Sequence, residues 1–240
     1  MSAILALHGV SKSYGALRVT DDITLAVAPG ETLGILGPNG AGKTTLFNLI
    51  SGDARTDAGR VEFDGRDVTH EPPHRRCRLG IGRSYQIPQP FGAMTVFENL
   101  VAAASFGAKR PERETYARAV EVLRETGLLP KANRLAGNLT LLDRKRLELA
   151  RALATEPKVL LLDEIAAGLT EHEARDLVDE IQRIKAKGVT MVWIEHVVHA
   201  LLAVADRLFV INFGQRLAEG APEQVMSDAN VQRVYMGIEV

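Results

Sequence analysis

A glycine-rich segment at residues 37–44 carries the clearest chemical signal in the chain. Its sequence, Gly-Pro-Asn-Gly-Ala-Gly-Lys-Thr, matches the G-x-x-x-x-G-K-[ST] pattern and lies between an apolar strand and a helical stretch. Glycines let successive backbone N–H groups approach phosphate oxygens, and the helix N-terminus adds the positive end of its dipole. We therefore expect Lys43 to reach the β- and γ-phosphates of a nucleotide and the Thr44 hydroxyl to ligate Mg²⁺. The predicted nucleotide contacts in this segment are Gly37, Pro38, Asn39, Gly40, Ala41, Gly42, Lys43, Thr44 and Thr45.

Two adjacent carboxylates, Asp163 and Glu164, follow the apolar segment Val-Leu-Leu-Leu at 159–162. In an open α/β sheet, ligands gather at the C-terminal ends of the strands, which is where this pair is expected. We expect Asp163 to hold Mg²⁺, directly or through water, and Glu164 to polarise the attacking water as a general base. An apolar strand ending in Asp-Glu is weak evidence alone, but the phosphate-binding segment upstream makes the assignment specific.

Strands must come first along the chain to position the phosphate-binding segment. The first 30 residues alternate loosely between apolar and polar, which indicates antiparallel strands. A short apolar strand at Thr32–Leu36 leads into the glycine-rich turn, and a helix is predicted from about residue 42 to 51. Residues 61–63, before Asp64-Gly65, look like one arm of a hairpin, and a short basic helix is expected from Pro72-Pro73 to near Gly80.

The middle of the chain changes character to helix. Helical patterns at 95–105, 111–126 and 140–155 are separated by glycines and Pro130. Strand, helix, strand, helix, strand then follow, and these strands are continuously apolar, as expected of parallel strands covered on both faces. Their predicted bounds are 159–162, 171–187, 189–194, 196–205 and 208–212, with two short helices near 222–227 and 229–235.

These elements predict one α/β domain of 240 residues. A nucleotide-binding core, with a mostly parallel sheet and an N-terminal antiparallel β subdomain, would comprise residues 1–86 and 156–240. An inserted helical subdomain would comprise about 87–155. The composition, 46% hydrophobic and 25% charged, is that of an ordinary globular protein.

Bulk charge and hydropathy limit the partners and the location. The net charge of −1 gives no basic excess of the kind that binds a nucleic-acid backbone, so no nucleic-acid partner is expected. Cys77 is the single cysteine, which excludes an internal disulfide. We see no signal peptide, and the apolar runs are shorter than the roughly 20 residues of a spanning helix. A cytoplasmic protein that reaches the membrane through partners is the expectation.

Further residues, in the same order along the chain, resemble the ABC ATPase family over essentially the whole sequence. Tyr14 resembles the aromatic residue that stacks on adenine. Gln86 resembles the Q-loop glutamine, which touches Mg²⁺ and water, and His196 resembles the switch histidine, which hydrogen-bonds the γ-phosphate. The resemblance implies ATP and Mg²⁺ as cofactors, a P-loop NTPase core of the ABC ATPase fold, and catalysis by Lys43, Gln86, Glu164 and His196.

One segment departs from the family. The family signature Leu-Ser-Gly-Gly-Gln opens a helix that faces the γ-phosphate bound by the opposite subunit, and this chain has Leu139, Thr140, Leu141, Leu142 and Asp143 there. Thr140 keeps the hydroxyl, and Thr140 with Asp143 predicts a capping box. The missing glycines put side chains where backbone should approach phosphate, and Asp143 adds negative charge near a negative ligand. We expect contact through main-chain amides and Thr140, with slower turnover.

The finer resemblance is to subunits of branched-chain amino acid importers. It rests on residues 42–52, the Ala-Gly-Asn-Leu lead-in at 136–139, Ile194-Glu195-His196, and residues 228–237. It implies permease subunits, a second ATPase subunit in a homo- or heterodimer and, indirectly, a periplasmic solute-binding protein. The groove around residues 86–98 would receive permease helices, with Phe91, Met94 and Phe97 either exposed there or buried.

Alternative interpretations remain at this stage. One is an ABC ATPase of another transport system, such as lipid or lipopolysaccharide export, and another is a soluble ABC ATPase of DNA repair or translation. The latter usually carry long insertions or a second cassette, which this chain lacks. A small-molecule kinase or GTPase would leave Gln86 and His196 unexplained. A non-hydrolysing structural subunit is disfavoured by intact Lys43, Asp163 and Glu164.

Overall fold

A computed structural model describes residues 3–108 and 111–236, which form two sheets and their covering helices. The strands are β1 (Leu5–Tyr14), β2 (Leu17–Val27), β3 (Thr32–Leu36), β4 (Ala58–Phe63), β5 (Arg66–Asp67), β6 (Ile81–Arg83), β7 (Val159–Asp163), β8 (Thr190–Ile194), β9 (Arg207–Asn212) and β10 (Gln215–Gly220). The helices are α1 (Lys43–Ser51), α2 (Pro73–Leu79), α3 (Val96–Ala103), α4 (Glu112–Glu125), α5 (Leu141–Ala154), α6 (Glu171–Lys185), α7 (Val198–Leu202), α8 (Pro222–Ser227) and α9 (Ala229–Met236).

The larger sheet holds the strands that precede both chemical segments. Its order is β10-β9-β3-β8-β7-β6, and every pairing except that of β9 with β10 is parallel. Strand β3 therefore ends beside β8, which in turn pairs with β7. Because parallel strands end at one edge of a sheet, residues 37, 164 and 195 are brought to the same edge. The smaller sheet, β2-β1-β4-β5, is antiparallel. The predicted α/β class, with a mostly parallel sheet and N-terminal antiparallel strands, is confirmed.

Two apolar clusters cover opposite faces of the larger sheet. Strand β7 shows this directly, since Leu160 and Leu162 pack into one cluster with α3, α5 and α6, whereas Val159 and Leu161 pack into the other with α1 and the small sheet. All four side chains are fully buried. Burial on both faces is the physical reason for the unbroken apolar run that the sequence shows here.

The end of α1 is stabilised by a buried arginine. The Arg76 side chain is 1% exposed, and its guanidinium donates to the carbonyls of Leu49 and Ile50 at 2.6 and 2.8 Å and to those of Thr69 and Glu71. The last carbonyls of a helix lack partners within the helix. Arg76 supplies those partners, so α2 holds α1 in place behind the phosphate-binding segment.

Three local features differ from the sequence prediction. Strand β10 was not expected because Gln215–Gly220 contains no β-branched or aromatic residue; it forms because a tight turn at Phe213 and Gly214 returns the chain along β9. Helix α7 begins two residues later than predicted, at Val198. After α3 the chain continues as a π-helical turn, Ala104–Ala108. Residue 237, part of the importer resemblance, lies outside the described residues.

Within residues 3–108 and 111–236, no helix combines the length and the apolar character needed to cross a membrane.

Helices α3 and α6 each begin with a complete capping box. Thr95 pairs there with Glu98, and Thr170 pairs with Glu173, each exchanging side-chain and backbone hydrogen bonds. Both helices therefore begin where a Thr-x-x-Glu pattern stands in the sequence.

Candidate functional site

Residues 37–44 form a turn in which two of the three glycines, Gly37 and Gly42, leave no space for a side chain. Gly42 has a φ of 103°, and a Cβ at this position would lie 2.4 Å from the carbonyl oxygen of Val19. A Cβ on Gly37 would lie 2.3 Å from the carbonyl oxygen of Ile211. Strand β2 and the end of β9 thus press against the turn from outside. Glycine is required at positions 37 and 42 by this close approach of backbone to backbone, a reason distinct from the predicted approach of backbone to phosphate.

The turn surrounds a small cavity of about 200 Å³ beside the N-terminus of α1. Its lining comprises Val19, Asn39, Gly40, Ala41, Gly42, Lys43, Thr44, Thr45, Glu164 and His196. Residues from the phosphate-binding segment, the end of β7 and the end of β8 therefore share one cavity. Val19 was missed by sequence reasoning, since nothing about a valine in a strand marks it as a ligand contact.

Lys43 is the first residue of α1, and its ammonium group points back to the start of the glycine-rich turn. Its Nζ donates to the carbonyl oxygens of Gly37 at 2.7 Å and Pro38 at 2.9 Å, and the residue is 5% exposed. Burial lowers the pKa of Lys43, while the nearby carboxylates of Glu164 and Asp163 act to raise it. A buried cation at the N-terminus of a helix, with two carboxylates nearby, is suited to a ligand that carries several negative charges together with a cation.

Three of the predicted catalytic side chains meet at one carboxylate. Glu164 Oε2 accepts a hydrogen bond from the Gln86 side-chain amide, and Glu164 Oε1 lies 2.7 Å from Nε2 of His196. Gln86 is 78 residues away from Glu164 in the chain, so the fold creates this contact. The carboxylate borders the cavity, together with His196.

Asp163 has a partner that the sequence did not identify. The Arg83 guanidinium, on β6, donates to Asp163 Oδ2 at 2.9 Å and also to Asn48, Ser51 and Asp53. Burial raises the pKa of Asp163, and the hydrogen bond from Arg83 opposes that rise. Arg83 joins the end of α1 to the end of β7, which fixes the direction of the Asp163 carboxylate.

The donor set near the cavity suits a hard cation. The Thr44 hydroxyl, the Asp163 carboxylate and the amide carbonyl of Gln86 are oxygen ligands of the kind that Mg²⁺ prefers, and Mg²⁺ usually keeps several waters besides. These residues fit the ion that the sequence predicted.

Tyr14 is placed at the end of β1, with half of its side chain exposed, and Lys12 Nζ lies 5.4 Å from the ring centroid. Tyr14 is not among the described residues that line the 200 Å³ cavity. An exposed aromatic ring is free to stack on a base, so the adenine role stays a prediction.

Residues 139–143 open α5 but lie away from this cavity. Thr140 is the N-cap, and its Oγ1 accepts from the Asp143 backbone N–H at 3.3 Å, as expected. The reciprocal half of the predicted capping box does not form. The Asp143 carboxylate instead accepts from Thr140 Oγ1 and from Lys131 Nζ, at 2.5–2.6 Å for the lysine. Aspartate is one methylene shorter than the glutamate of the two complete capping boxes.

The expectation that Asp143 presents a negative charge to a ligand is therefore wrong. The residue is 2% exposed, and Lys131 neutralises its carboxylate. The Thr140 hydroxyl donates to the Asp143 carboxylate at 2.9 Å, and its contact with phosphate stays a prediction. Leu141 is 45% exposed and Leu139 is buried. The exposed surface at this helix start therefore includes the apolar Leu141 side chain beside Thr140 and Arg144.

A second, larger cavity of about 670 Å³ lies between α2, β6 and the helical segment. Phe91, Met94 and Phe106 line it, together with Cys77 and Tyr85. Phe97 was predicted to be either exposed in the groove or buried, and the structure places it against the core. Its ring packs on Tyr116, with centroids 5.9 Å apart, and against the main core.

Comparison with known proteins gives consistent matches along the chain. The family described as ABC transporter matches residues 20–167. The chain is 37% identical over 235 residues to the lipopolysaccharide export system ATP-binding protein LptB of Haemophilus influenzae, covering 98% of each chain. It is 34% identical over 249 residues to the high-affinity branched-chain amino acid transport ATP-binding protein LivG of Escherichia coli K12, covering 98% of each. It is 36% identical over 249 residues to BraF of Pseudomonas aeruginosa, which has the same description and the same coverage.

Solved structures agree. The ADP conformation of an ATP-binding cassette of an ABC transporter superposes with a TM-score of 0.88 at 33% identity, covering 99% of this chain and 100% of that one. The cbiO1 structure from Clostridium perfringens, part of the ABC transporter complex cbiONQ, gives 0.86 at 28% identity and covers 97% and 94%. The fold around the cavity is therefore that of the ABC ATPase domains.

Proposed function

Because the chain belongs to the ABC transporter family as an ATP-binding subunit that hydrolyses ATP and works with transmembrane permease components, we propose that it powers the import of branched-chain amino acids or a related small solute. The observation that supports the catalytic part of this proposal is the convergence of Gln86 and His196 on the Glu164 carboxylate beside the phosphate-binding turn.

The residue roles follow from that arrangement. Backbone N–H groups of residues 37–45 and the Lys43 ammonium bind the phosphates, and Tyr14 stacks on the base. Thr44, Asp163 and Gln86 would hold Mg²⁺, which would supply positive charge to neutralise the phosphates. Glu164 accepts the proton of the attacking water, which His196 and Gln86 orient.

The chain acts, in this proposal, as a single domain in which residues 1–86 and 156–240 bind nucleotide and about 87–155 form the helical part. A second ATPase subunit, identical or different, presents the start of its corresponding helix to the γ-phosphate. At this chain's own helix start, the main-chain amides of residues 141 and 142 provide the contact to the opposite nucleotide, because the Thr140 hydroxyl and the Asp143 N–H are hydrogen-bonded to each other's residue in the cap.

The 670 Å³ groove provides the contact with the permeases. Phe91 and Phe106 are 53% and 75% exposed at its rim, and its walls are largely apolar. A short amphipathic helix from a permease would bury these side chains. The protein is thereby held at the inner face of the membrane, and a periplasmic solute-binding protein acts on the far side through the permeases.

Amino acid import rests on motif resemblance and on relatives named for it at 34–36% identity. A second candidate, lipopolysaccharide export, has a specific observation in its favour, namely 37% identity to LptB. The Glu164→Gln variant, expected to retain ATP, is captured from membranes to identify its permeases, and the wild-type chain is then assembled with those permeases in vesicles. ATP-driven leucine uptake supports import. Lipopolysaccharide release without leucine uptake supports export, and recovery of ribosomes or nucleic acid without permeases contradicts both.

A further inference from the structure

The backbone of Glu164 adopts a conformation that needs external support. Its φ is +47°, in the left-handed region that side-chain-bearing residues rarely adopt. Its N–H donates to the carbonyl oxygen of Ile194, the last residue of β8, at 2.9 Å. Glu164 is also where the chain leaves β7 for the loop of residues 165–169. Such strained positions persist where surrounding groups fix them, and they cluster at functional sites.

A buried lysine holds the carbonyl side of this residue. Lys145, on α5, is 3% exposed, and its Nζ lies 3.2 Å from the carbonyl oxygen of Glu164 and 2.6 Å from that of Gln86. One ammonium group therefore joins the two backbone positions whose side chains are hydrogen-bonded to each other at the site. Both hydrogen bonds of the Lys145 ammonium group go to backbone carbonyl oxygens, so the side chain acts on the backbone and not on a ligand.

A buried glutamate holds the loop on the other side. Glu195 is fully buried, and its Oε1 accepts the backbone N–H of Ala166 at 2.7 Å. Its Oε2 accepts the backbone N–H of His196 at 3.0 Å and lies 3.4 Å from that of Val197. The carboxylate thus ties the chain just after Glu164 to the backbone of His196. It also explains why α7 starts late, since residues 196 and 197 direct their N–H groups to Glu195.

Charge complementarity links the two. Burial lowers the pKa of Lys145 and raises that of Glu195, and the Glu195 charge is the largest electrostatic influence acting to keep Lys145 protonated. Buried charges of opposite sign that also satisfy several backbone groups are costly to remove singly. Lys145 and Glu195 therefore each hold the backbone behind the cavity, Lys145 from α5 and Glu195 from the end of β8.

We propose that Lys145 and Glu195 are positioning residues for ATP hydrolysis, which hold Glu164 in its left-handed conformation and keep its carboxylate between Gln86 and His196. This inference rests on the proposed role of Glu164 as general base. Neither side chain contacts the cavity, so both act through the backbone of residues 86, 164, 166 and 196.

The test compares Lys145→Met and Glu195→Gln with matched controls in the full chain, assembled with its permeases. Lys185→Met removes another lysine that donates to a backbone carbonyl, that of Val204, and Glu173→Gln alters another carboxylate that accepts a backbone N–H. Both controls lie outside the site.

We expect each test variant to lower kcat for ATP about 10- to 100-fold, since displacement of a catalytic group by about 1 Å has effects of that order. KM for ATP and binding of a fluorescent ATP analogue should stay within about threefold, and Lys145→Arg should recover most of kcat.

A double-mutant cycle separates positioning from a general structural role. In the Glu164→Gln background, Lys145→Met and Glu195→Gln should lower the residual rate no further, because they act through the group already removed. The proposal is overturned if kcat is unchanged, if ATP binding is lost in parallel, or if the same fold-loss recurs in the Glu164→Gln background. Should Lys145→Met fail to fold, Glu195→Gln and Lys145→Arg decide the question. An unchanged kcat for Glu164→Gln itself would instead contradict the proposed general base.

Discussion

Two helix N-termini in this molecule achieve their local structure in opposite ways. Helix α1 begins at Gly42, whose left-handed backbone has no side-chain cap, and its first N–H groups open toward the cavity. Helix α5 begins at Thr140, whose side chain caps it, with Asp143 and Lys131 forming an ion pair beneath. The start of α1 depends on a glycine that has no side chain, whereas the start of α5 depends on the side chains of Thr140 and Asp143. A ligand-binding helix start and a stably capped one therefore place different demands on sequence.

The comparison predicts its largest effect at the phosphate-binding helix. Lys43→Ala should lower the ATPase rate by about 10²–10³-fold, because removing one preorganised electrostatic contact from a site typically costs that much. Lys187→Ala, which removes an exposed lysine paired with Glu125, is the control. ATPase assays and nucleotide-binding titrations measure both variants. A Lys43→Ala rate equal to that of the control would contradict the assignment of the turn.

A glycine substitution tests the same helix start from the backbone side. Gly42→Ala should both destabilise the fold and weaken nucleotide binding, since its Cβ would lie 2.4 Å from the Val19 carbonyl oxygen. Gly188→Ala is matched in backbone conformation, with a φ of 82° against 103°, but nothing lies within 4 Å of its Cβ. It should cost only the backbone strain, about 1 kcal/mol. Denaturant unfolding of both variants gives the difference, and equal costs would show that the close approach is unimportant.

At α5, restoring backbone access should increase activity. The double substitution Leu141→Gly and Leu142→Gly should raise kcat of the assembled dimer several-fold, because phosphate could approach the main-chain amides more closely. The same change should lower the free energy of unfolding by about 1 kcal/mol per glycine, from helix propensity. Leu141→Ala with Leu142→Ala removes bulk without freeing the backbone and is the control. A kcat that falls with the glycines would mean that the leucines themselves contribute to the dimer contact.

The smallest effect is expected at the cap of α5. Thr140→Ala should lower the free energy of unfolding by about 1 kcal/mol, the usual cost of losing an N-cap. The ATPase rate should change by less than about threefold, because the hydroxyl hydrogen is directed to Asp143 and not to a ligand. Thr140→Ser, which keeps the cap, serves as the control for both measurements. A large loss of kcat with unchanged stability would restore the phosphate contact that the sequence suggested.

Much of the fold could be predicted from the sequence because the informative patterns are local. The continuous apolar runs of β7 and β8 indicate burial on both faces, and the turn chemistry of residues 37–44 specifies its own backbone. Motif order then predicted that Gln86, Glu164 and His196 act together, and the structure places them in contact. Capping of α5 by Thr140 was also predicted correctly.

The sequence by itself therefore determined the strand and helix order apart from β10, the phosphate-binding turn, and the identity of the residues that border the cavity apart from Val19. Only the tertiary structure decided what supports them. Arg83 reaches Asp163 across 80 residues and Lys145 reaches Gln86 across 59, while Asp143 is neutralised by Lys131. A buried charge is tolerated only where a partner satisfies it, and packing alone selects that partner from many residues of the same type.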